Sequence, residues 1–341
     1  MIRTRHCLPF LLACAVCAAA PAEADEVRFD GASTMIGELK HLDRGKLSFK
    51  TPGTGTITID WSHVDAVKNS QTLEIELTDG TLLYGTLGDS ADSGKITIHR
   101  AGGDTDIPMD RIVRMSQIEE QVLERFDGSV NAGVNVTQSN DYRSFNLGAS
   151  MSYRTRKYYS SLNLSAQTNK SENTPGTRQA NLQIRGSRVF SNRWNTGGLL
   201  KFEHNQDLGI ELRSSIGYVV GRTLTRTNHN MFMVSGGLMY TKEDVADSTE
   251  SETNQEAFLG VDWQVFRFDD PELDLTTQVA VIPSLSEAGR RRAYADITLR
   301  WEIVGDLYWR LSFTDNYDSN PPVEGALTND YTLTSGISYD F

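Results

Sequence analysis

Cysteine is scarce in this chain and confined to one end. Cys7, Cys14 and Cys17 are the three cysteines among 341 residues. They lie in a segment that begins with basic residues and continues as the apolar run "CLPFLLACAVCAAA". That run is too short to span a bilayer, which needs about 20 residues. The segment ends in Ala22-Glu23-Ala24, an A-x-A cleavage signal, so residues 1–24 are predicted to be a secretory signal peptide.

Removal of this segment would leave a mature chain without cysteine, starting at Asp25. Such a chain cannot form a disulfide, and it has no thiolate for catalysis or for metal binding. The sequence predicts no catalytic residues, no metal site and no cofactor.

Long apolar runs and an excess of positive charge are also missing. No stretch after the predicted signal peptide is apolar for 18 residues, which excludes a transmembrane helix. The formal net charge is −12, which argues against nucleic acid as a partner. A mean hydropathy of −0.40 is nevertheless compatible with a membrane β-barrel, because only every second residue of its strands faces lipid.

The first part of the mature chain, residues 25–115, contains short strand-like segments and repeats itself. "IGELKHLDRGKLSFK" is followed about 48 residues later by the similar "YGTLGDSADSGKITIHR". Gly37 corresponds to Gly85, and Trp61 is expected to pack in the core or between the repeats. Internal repeats of this kind indicate a duplicated structural unit. We predict two SH3-like or Sm-like β repeats, followed by a linker or short helix at 116–127.

From residue 128 to Phe341 the chain alternates apolar with polar or small residues in about twelve segments of roughly ten residues. Five connections are predicted to be tight turns, "TRK", "SNR", "GRTL", "DDPE" and "VGD", whereas the others, such as "NKSENTPGT" and "KEDVADSTESET", are longer and polar. Aromatic residues fall near strand ends. An even strand number, unequal connections and aromatic girdles are typical of outer-membrane barrels. The sequence therefore predicts an all-β protein with a 12-stranded antiparallel transmembrane β-barrel at 128–341. A large soluble β-sandwich is the alternative.

The second face of the predicted strands carries charges of both signs. The residues expected to face the lumen are Arg185, Lys201, Glu203, Glu211, Arg213, Asp262, Asp296, Arg300 and Arg310. Unpaired charges in a narrow interior are costly, which favours a salt-bridged lumen. A channel lined by rungs of arginine stays open as an alternative. The acidic segment Glu243–Glu256 is expected to be a solvated loop.

The region 126–341 resembles the YdiY-like salt-induced outer membrane protein family, a family of unknown function. The resemblance rests on "FDGSVNAGVNVTQSND", on "SFNLGASMSYRTRKYYSSLNLSAQ" and on the C-terminal "GISYDF". It implies an outer-membrane location, a link to salt stress and no catalytic residues. Tyr339 and Phe341 resemble the C-terminal signal that the barrel assembly machinery reads.

Several functions remain open at this point. The chain is expected to reside in the outer membrane of a Gram-negative envelope, in contact with its lipid, as a narrow pore or a stress-related envelope protein. Alternatively, residues 25–115 bind a periplasmic protein or peptidoglycan and the barrel is an anchor. An outer-membrane hydrolase is a third hypothesis. It would need His204 or His229 beside a serine such as Ser214 or Ser235, and an orienting third group.

Overall fold

The computed structural model describes residues 24–31, 33–90, 92, 94–118, 126–137, 142–155, 157–171, 174–190, 192–206, 209–245, 251–321 and 327–339. The described residues form 22 strands and two one-turn 3-10 helices, so the prediction of an all-β chain is confirmed. The predicted signal peptide lies outside them, apart from Ala24. Phe341 and most of the predicted linker also lie outside them.

Residues 25–117, which we call the N-terminal module, contain ten strands. Their pairing follows the order β4-β3-β2-β10-β6-β7-β8-β9, and β1 pairs with both β2 and β5. β10 ends and β11 begins inside the interval 116–127, so these strands occupy both ends of the predicted linker. The strands are β1 (Asp25–Phe29), β2 (Ser33–Asp43), β3 (Lys46–Thr51), β4 (Gly55–Asp60), β5 (Val64–Lys68), β6 (Leu73–Leu77), β7 (Leu82–Asp89), β8 (Lys95–His99), β9 (Thr105–Pro108) and β10 (Ile112–Gln117).

The module buries its apolar side chains in one core to which both halves contribute. Phe49 from the first half and Ile75 and Ile98 from the second are fully buried in it. Trp61 is a core residue, as predicted, and its indole N–H donates to the carbonyl of Met109 at 2.9 Å. This bond joins the two 3-10 helices, Trp61–His63 and Met109–Arg111, across the two halves.

The second region is one sheet of twelve strands in strict chain order. Every neighbouring pair is antiparallel, which confirms the predicted number and direction of the strands. Among the described residues β11 pairs only with β12, and β22 only with β21. The strands are β11 (Phe126–Thr137), β12 (Tyr142–Arg154), β13 (Tyr158–Ser171), β14 (Thr174–Val189), β15 (Trp194–Asn205), β16 (Ile210–Arg226), β17 (Asn230–Val245), β18 (Ser251–Arg267), β19 (Leu273–Pro283), β20 (Arg291–Val304), β21 (Leu307–Asp318) and β22 (Asn329–Tyr339).

Three predicted connections were wrong. Most of "KEDVADSTESET" lies in strands, since β17 continues to Val245 and β18 begins at Ser251. The segment "GRTL" is not a turn but part of β16, and the chain reverses at 227–229. Gly221 lies inside this strand, where a Cβ would lie 3.0 Å from the side-chain amide of Asn195. Most of "NKSENTPGT" also belongs to strands, since β13 and β14 continue past the apolar part of their sequence.

The twelve-stranded sheet is strongly curled. Arg213 on β16 and Asp318 on β21 are five strands apart in pairing order, which would be about 24 Å in a flat sheet. Their side chains nevertheless lie 3.8 Å apart. We call the face on which they meet the inner face, and the opposite one the outer face.

Candidate functional site

The outer face of the curled sheet exposes large apolar side chains along every second position. Ile216, Tyr218 and Val220 on β16 are exposed, whereas the intervening Val219 is 4% exposed. The same alternation continues around the sheet. Further exposed members of the outer face include Val130, Val134, Phe145, Leu200, Phe202, Leu238, Tyr240, Leu259, Trp263, Val281, Trp301, Ile303, Leu333, Ile337 and Tyr339. An apolar surface of this extent marks a place where the protein is covered by something other than water.

The inner face holds a buried group of charges, which we call the ionic cluster: Arg213, Glu243, Arg290 and Asp318. Glu243 is 1% exposed and lies 2.6 Å from Arg213 and 3.1 Å from Arg290. Arg290 also contacts Asp318 at 2.7 Å. The cluster therefore joins β16, β17, β21 and the connection between β19 and β20 through shared carboxylates.

A second set of pairs extends this cluster along the inner face. Arg292 donates to Glu256 at 2.6 Å, and Glu256 also accepts from the hydroxyl of Thr241 at 2.6 Å. Lys201 lies 3.0 Å from Glu203, which lies 3.5 Å from Arg213. Breaking one member of such a buried group leaves its partner uncompensated, which costs about 3–5 kcal/mol. The cluster thus ties distant strands together at one end of the sheet.

The ionic cluster marks the end of the sheet with the longer connections. Its members lie at the end of β17, the start of β16 and β20, and the end of β21. The longest connections, 284–290 and 319–328, lie at this end, together with the shorter 138–141, 172–173, 206–209 and 246–250. Described turns at the opposite end, such as 227–229 and 305–306, are shorter.

The structure places the predicted lumen-facing residues in different surroundings. Lys201, Glu203 and Arg213 belong to the paired set just described. Arg185 donates to Asn195 at 3.1 Å, Arg300 contacts Glu272 at 2.7 Å, and Arg310 donates to Ser338 at 2.8 Å. Asp262 and Asp296 are partly buried, whereas Glu211 and Arg310 are exposed.

The sequence reasoning missed the partners of these arginines. Glu243 and Glu256, which were expected in a solvated loop, are almost fully buried, so that expectation was wrong. The available signal was strand parity: Glu243 follows Met239 and Thr241 at intervals of two and so shares their face. Arg290 and Asp318 carried no local signal, since the curl of the sheet brings them together.

The N-terminal module contacts the short-turn end of the sheet. Arg226 at the end of β16 lies 2.6 Å from Asp43 and 3.7 Å from Glu76. Arg193, in the turn between β14 and β15, donates to the carbonyl of Leu77 at 3.0 Å, and its Nε lies 3.6 Å from Glu76.

Further contacts join the module to the turn between β18 and β19. Arg44 lies 2.6 Å from Asp274 on β19, and the ammonium of Lys46 lies 3.6 Å from the ring centre of Phe268. The imidazole of His63 lies 3.4 Å from Asp269 and 2.8 Å from Asp30. Its hydrogen bond with Asp30 raises the pKa of His63 above its usual value.

Glu76 is the charge centre of this contact. It is buried in β6 and is surrounded by three arginines, one of which is Arg114 of the module itself at 3.1 Å. Burial alone would raise the pKa of Glu76, but the nearby Arg226, Arg114 and Arg193 outweigh it and hold the pKa below its usual value. The carboxylate therefore remains charged and available to the arginines of the sheet.

A cleft of about 680 Å³ lies between the module and the sheet. Asp60, Asp65, Asp89, Asp92 and Asp110 line it, together with the buried Trp61 and the sheet residues Asn228, His229 and Phe268. Some of these carboxylates already have partners, since Asp92 pairs with Lys95 and Asp60 caps the first 3-10 helix. Among the described residues, no group of three or more histidine or acidic side chains is arranged to hold a metal ion.

The two histidines of the predicted barrel have contacts other than the serines considered for a hydrolase. The ring of His204 makes a hydrogen bond with the backbone carbonyl of Glu211 at 2.7 Å. His229 lines the cleft at the opposite end of the sheet. Within the described part of the sheet, neither histidine is therefore paired with Ser214 or Ser235, as the hydrolase hypothesis would require.

In the described part of the chain, no helix is long and apolar enough to cross a membrane. No curated protein matches the chain. A family model described as "Protein of unknown function, DUF481" matches residues 130–341, which is more than half of the chain and nearly the whole twelve-stranded sheet. This agrees with the family resemblance seen in the sequence, and the chain belongs to the DUF481 family of proteins of unknown function.

Proposed function

We propose that this protein resides in the outer membrane of a Gram-negative envelope, with residues 128–341 as a closed twelve-stranded β-barrel. The observation that carries the proposal is the polarity of the sheet. Its outer face exposes rows of apolar side chains, and its inner face buries charges such as Arg213 and Glu243. This arrangement suits a membrane protein, because lipid covers the apolar face and charges are kept inside.

Closure of the barrel would join β11 to β22. With twelve antiparallel strands, the first and the last run in opposite directions and can pair as antiparallel neighbours. In a bilayer the free N–H and C=O groups of two open edges would each cost several kcal/mol. Lipid therefore favours the closed form of this curled sheet.

The N-terminal module would lie in the periplasm, at the end of the short turns, as is usual for such barrels. Its two halves are proposed to be SH3-like or Sm-like repeats. Gly37 and Gly85 support the duplication, because they occupy equivalent positions. Gly37 packs against the backbone carbonyl of Lys50 and Gly85 against that of His99, and a Cβ at either glycine would collide with that carbonyl.

The paired inner charges favour a closed or very narrow interior over an open channel lined by arginine. We therefore propose a structural or stress-related envelope protein, and a narrow pore is the second candidate. Conductance of the refolded protein in planar bilayers separates the two. Discrete current steps would support the pore. Silence of both the unaltered protein and the variant Arg193→Gln/Arg226→Gln, which lacks these two contacts to the module, would support the structural role.

Outer-membrane location is tested by fractionation combined with gel mobility. The protein is expected in the outer-membrane fraction, and the unheated sample is expected to migrate faster than the boiled one because the barrel stays folded in detergent. Recovery from the soluble periplasmic fraction, with the same mobility before and after boiling, would contradict the proposal.

The C-terminal residues are proposed as the signal for the barrel assembly machinery. We predict that Phe341→Asp strongly lowers the amount of protein in the outer membrane, because the terminal aromatic is lost. Phe341→Tyr keeps the aromatic ring and is the control. Equal outer-membrane amounts of Phe341→Asp and Phe341→Tyr would contradict the assignment.

A further inference from the structure

The short-turn end of the sheet meets the module through arginines that reach across from the sheet. Arg193 lies in the turn between β14 and β15 and Arg226 lies at the end of β16. Both converge on Glu76, and Arg226 also contacts Asp43. We call these four residues the latch. Arg193 extends from a backbone with φ of 66°, a conformation that costs a non-glycine residue free energy and that the surrounding contacts must offset.

Two glycines of the module fit against the same turns. A Cβ on Gly45 would lie 2.7 Å from the carbonyl oxygen of Asn228, and one on Gly80 would lie 3.0 Å from Nε of Arg193. In addition, the amide of Asn228 donates to the carbonyl of Ile112 at 3.0 Å. The backbones of module and sheet therefore approach each other closely at Gly45 and Asn228, and the side chain of Arg193 packs against the module at Gly80.

We propose that the N-terminal module is a plug, held by the latch over the short-turn end of the barrel, which closes the interior on that side. This inference rests on the proposed function, because only a closed barrel has an interior to plug. The module spans the connections β14–β15, β16–β17 and β18–β19, three successive short turns of the curled sheet. It therefore lies across the end of the sheet and not beside a single strand.

The contact between the module and the sheet is polar, which allows the module to detach reversibly. It consists largely of arginine–carboxylate pairs, cation–π contacts and hydrogen bonds to backbone, as in Arg44–Asp274 and Lys46–Phe268. Polar interfaces between regions of one chain resemble those of transient complexes and permit relative motion. The ionic cluster occupies the opposite end, so that release of the module would open one end of the interior and leave the other occupied.

The test measures how well the plug shields Asn228 in the full-length protein. The predicted mature chain lacks cysteine, so Asn228→Cys introduces a single thiol under the module. Lys157→Cys places a matched thiol in the exposed turn between β12 and β13. A maleimide-linked polyethylene glycol is added to outer-membrane fragments, in which both surfaces are accessible, and the labelling rates are compared.

The plug predicts labelling of Asn228→Cys at least about tenfold slower than that of Lys157→Cys, because the reagent reaches only the undocked fraction. Adding Arg193→Gln and Arg226→Gln should bring the two rates together. Both changes lie in the sheet, so the Glu76–Arg114 pair inside the module stays intact. Lys242→Gln at the opposite end of the sheet is the control and should leave the rates unchanged.

Equal rates for Asn228→Cys and Lys157→Cys in the otherwise unaltered protein would overturn the plug. Slow labelling of Asn228→Cys that persists in the Arg193→Gln/Arg226→Gln background would overturn the latch. Failure of the proposed function is a separate result. It would appear as soluble fractionation and unchanged gel mobility, whatever the labelling rates.

Discussion

The N-terminal module and the twelve-stranded sheet are both antiparallel β-structures, but they place their apolar residues on opposite sides. The module buries Phe49 and Ile75 in its centre and exposes most of its charges. The sheet exposes Ile216 and Leu259 on its outer face and buries Glu243 and Arg290 inside. A core of apolar residues suits a protein surrounded by water, whereas exposed rows of apolar residues suit the lipid that the proposal places around the sheet.

This difference shows why overall composition says little about such a chain. A mean hydropathy of −0.40 is the average of two opposite designs. The module and the sheet differ in which face of their strands carries the polar residues, since successive side chains of a strand point to opposite faces. In the module the core positions are apolar, whereas in the sheet the inner positions carry charges that have partners on other strands.

The largest expected effect comes from removing a shared carboxylate of the ionic cluster. Glu243→Ala would leave Arg213 and Arg290 without a common partner and should lower the free energy of unfolding by about 3–5 kcal/mol. The measurement is urea unfolding from lipid vesicles. Lys242→Ala, one residue away on the outer face, removes an exposed pair with Asp244 and should cost at most about 1 kcal/mol. Equal losses for the two variants would contradict the assignment of inner and outer faces.

A comparable loss of stability is expected from a substitution in the core of the module, but it should affect the module and not the sheet. Phe49→Ala removes a fully buried ring and should lower the free energy of unfolding of the module by about 3–5 kcal/mol. Protease digestion of residues 25–117 should accelerate, while the gel mobility of the unheated barrel stays the same. If Phe49→Ala also abolished the faster gel mobility of the unheated barrel, the two regions would fold as one unit.

The number and order of the strands could be predicted from local sequence, because alternation survives in each segment. The prediction that Trp61 packs in the core or between the repeats is also confirmed. The position of the turn after β16 was out of reach, because Gly221 signals a turn by residue type and yet lies inside β16, beside Asn195.

The candidate site was harder to predict than the strands. Arg213 was expected on the inner face, but its partners Glu243 and Asp318 lie 30 and 105 positions away. Arg290, which shares both carboxylates, lies 77 positions away. Only the curl of the sheet determines which of these charges meet. The contacts of Arg193 and Arg226 with Glu76 depend on the docking of a separate region, which no local pattern indicates.

A smaller effect is expected on the outer face. Leu259→Arg places a charge where the proposal puts lipid, and it should weaken folding into bilayers by about 2–4 kcal/mol if the position is near the midplane. Leu259→Ala keeps the site apolar and is the matched control. Equal folding of the two variants into vesicles would mean that this face is not covered by lipid.

The smallest expected effect concerns pH. The pKa of Glu76 is lowered in the folded protein, so its contribution to stability is fully present above the ordinary glutamate pKa of about 4.3. It is lost as the pH falls through the lowered value. Thermal unfolding of the module should therefore become easier below about pH 4, and Glu76→Gln should flatten this dependence. Glu26→Gln removes an exposed carboxylate as the control and should retain the acid sensitivity.

The opposite polarity of the two regions can be measured directly with their tryptophans. Two variants would each retain one native tryptophan, either Trp301 on the outer face or Trp61 in the core of the module, with phenylalanine at the other positions. Both are refolded into vesicles whose lipids carry brominated acyl chains, which quench only fluorophores in contact with them. The account predicts strong quenching of Trp301 and none of Trp61. Equal fluorescence of Trp301 in brominated and ordinary lipid would contradict the claim that the outer face lies against the membrane.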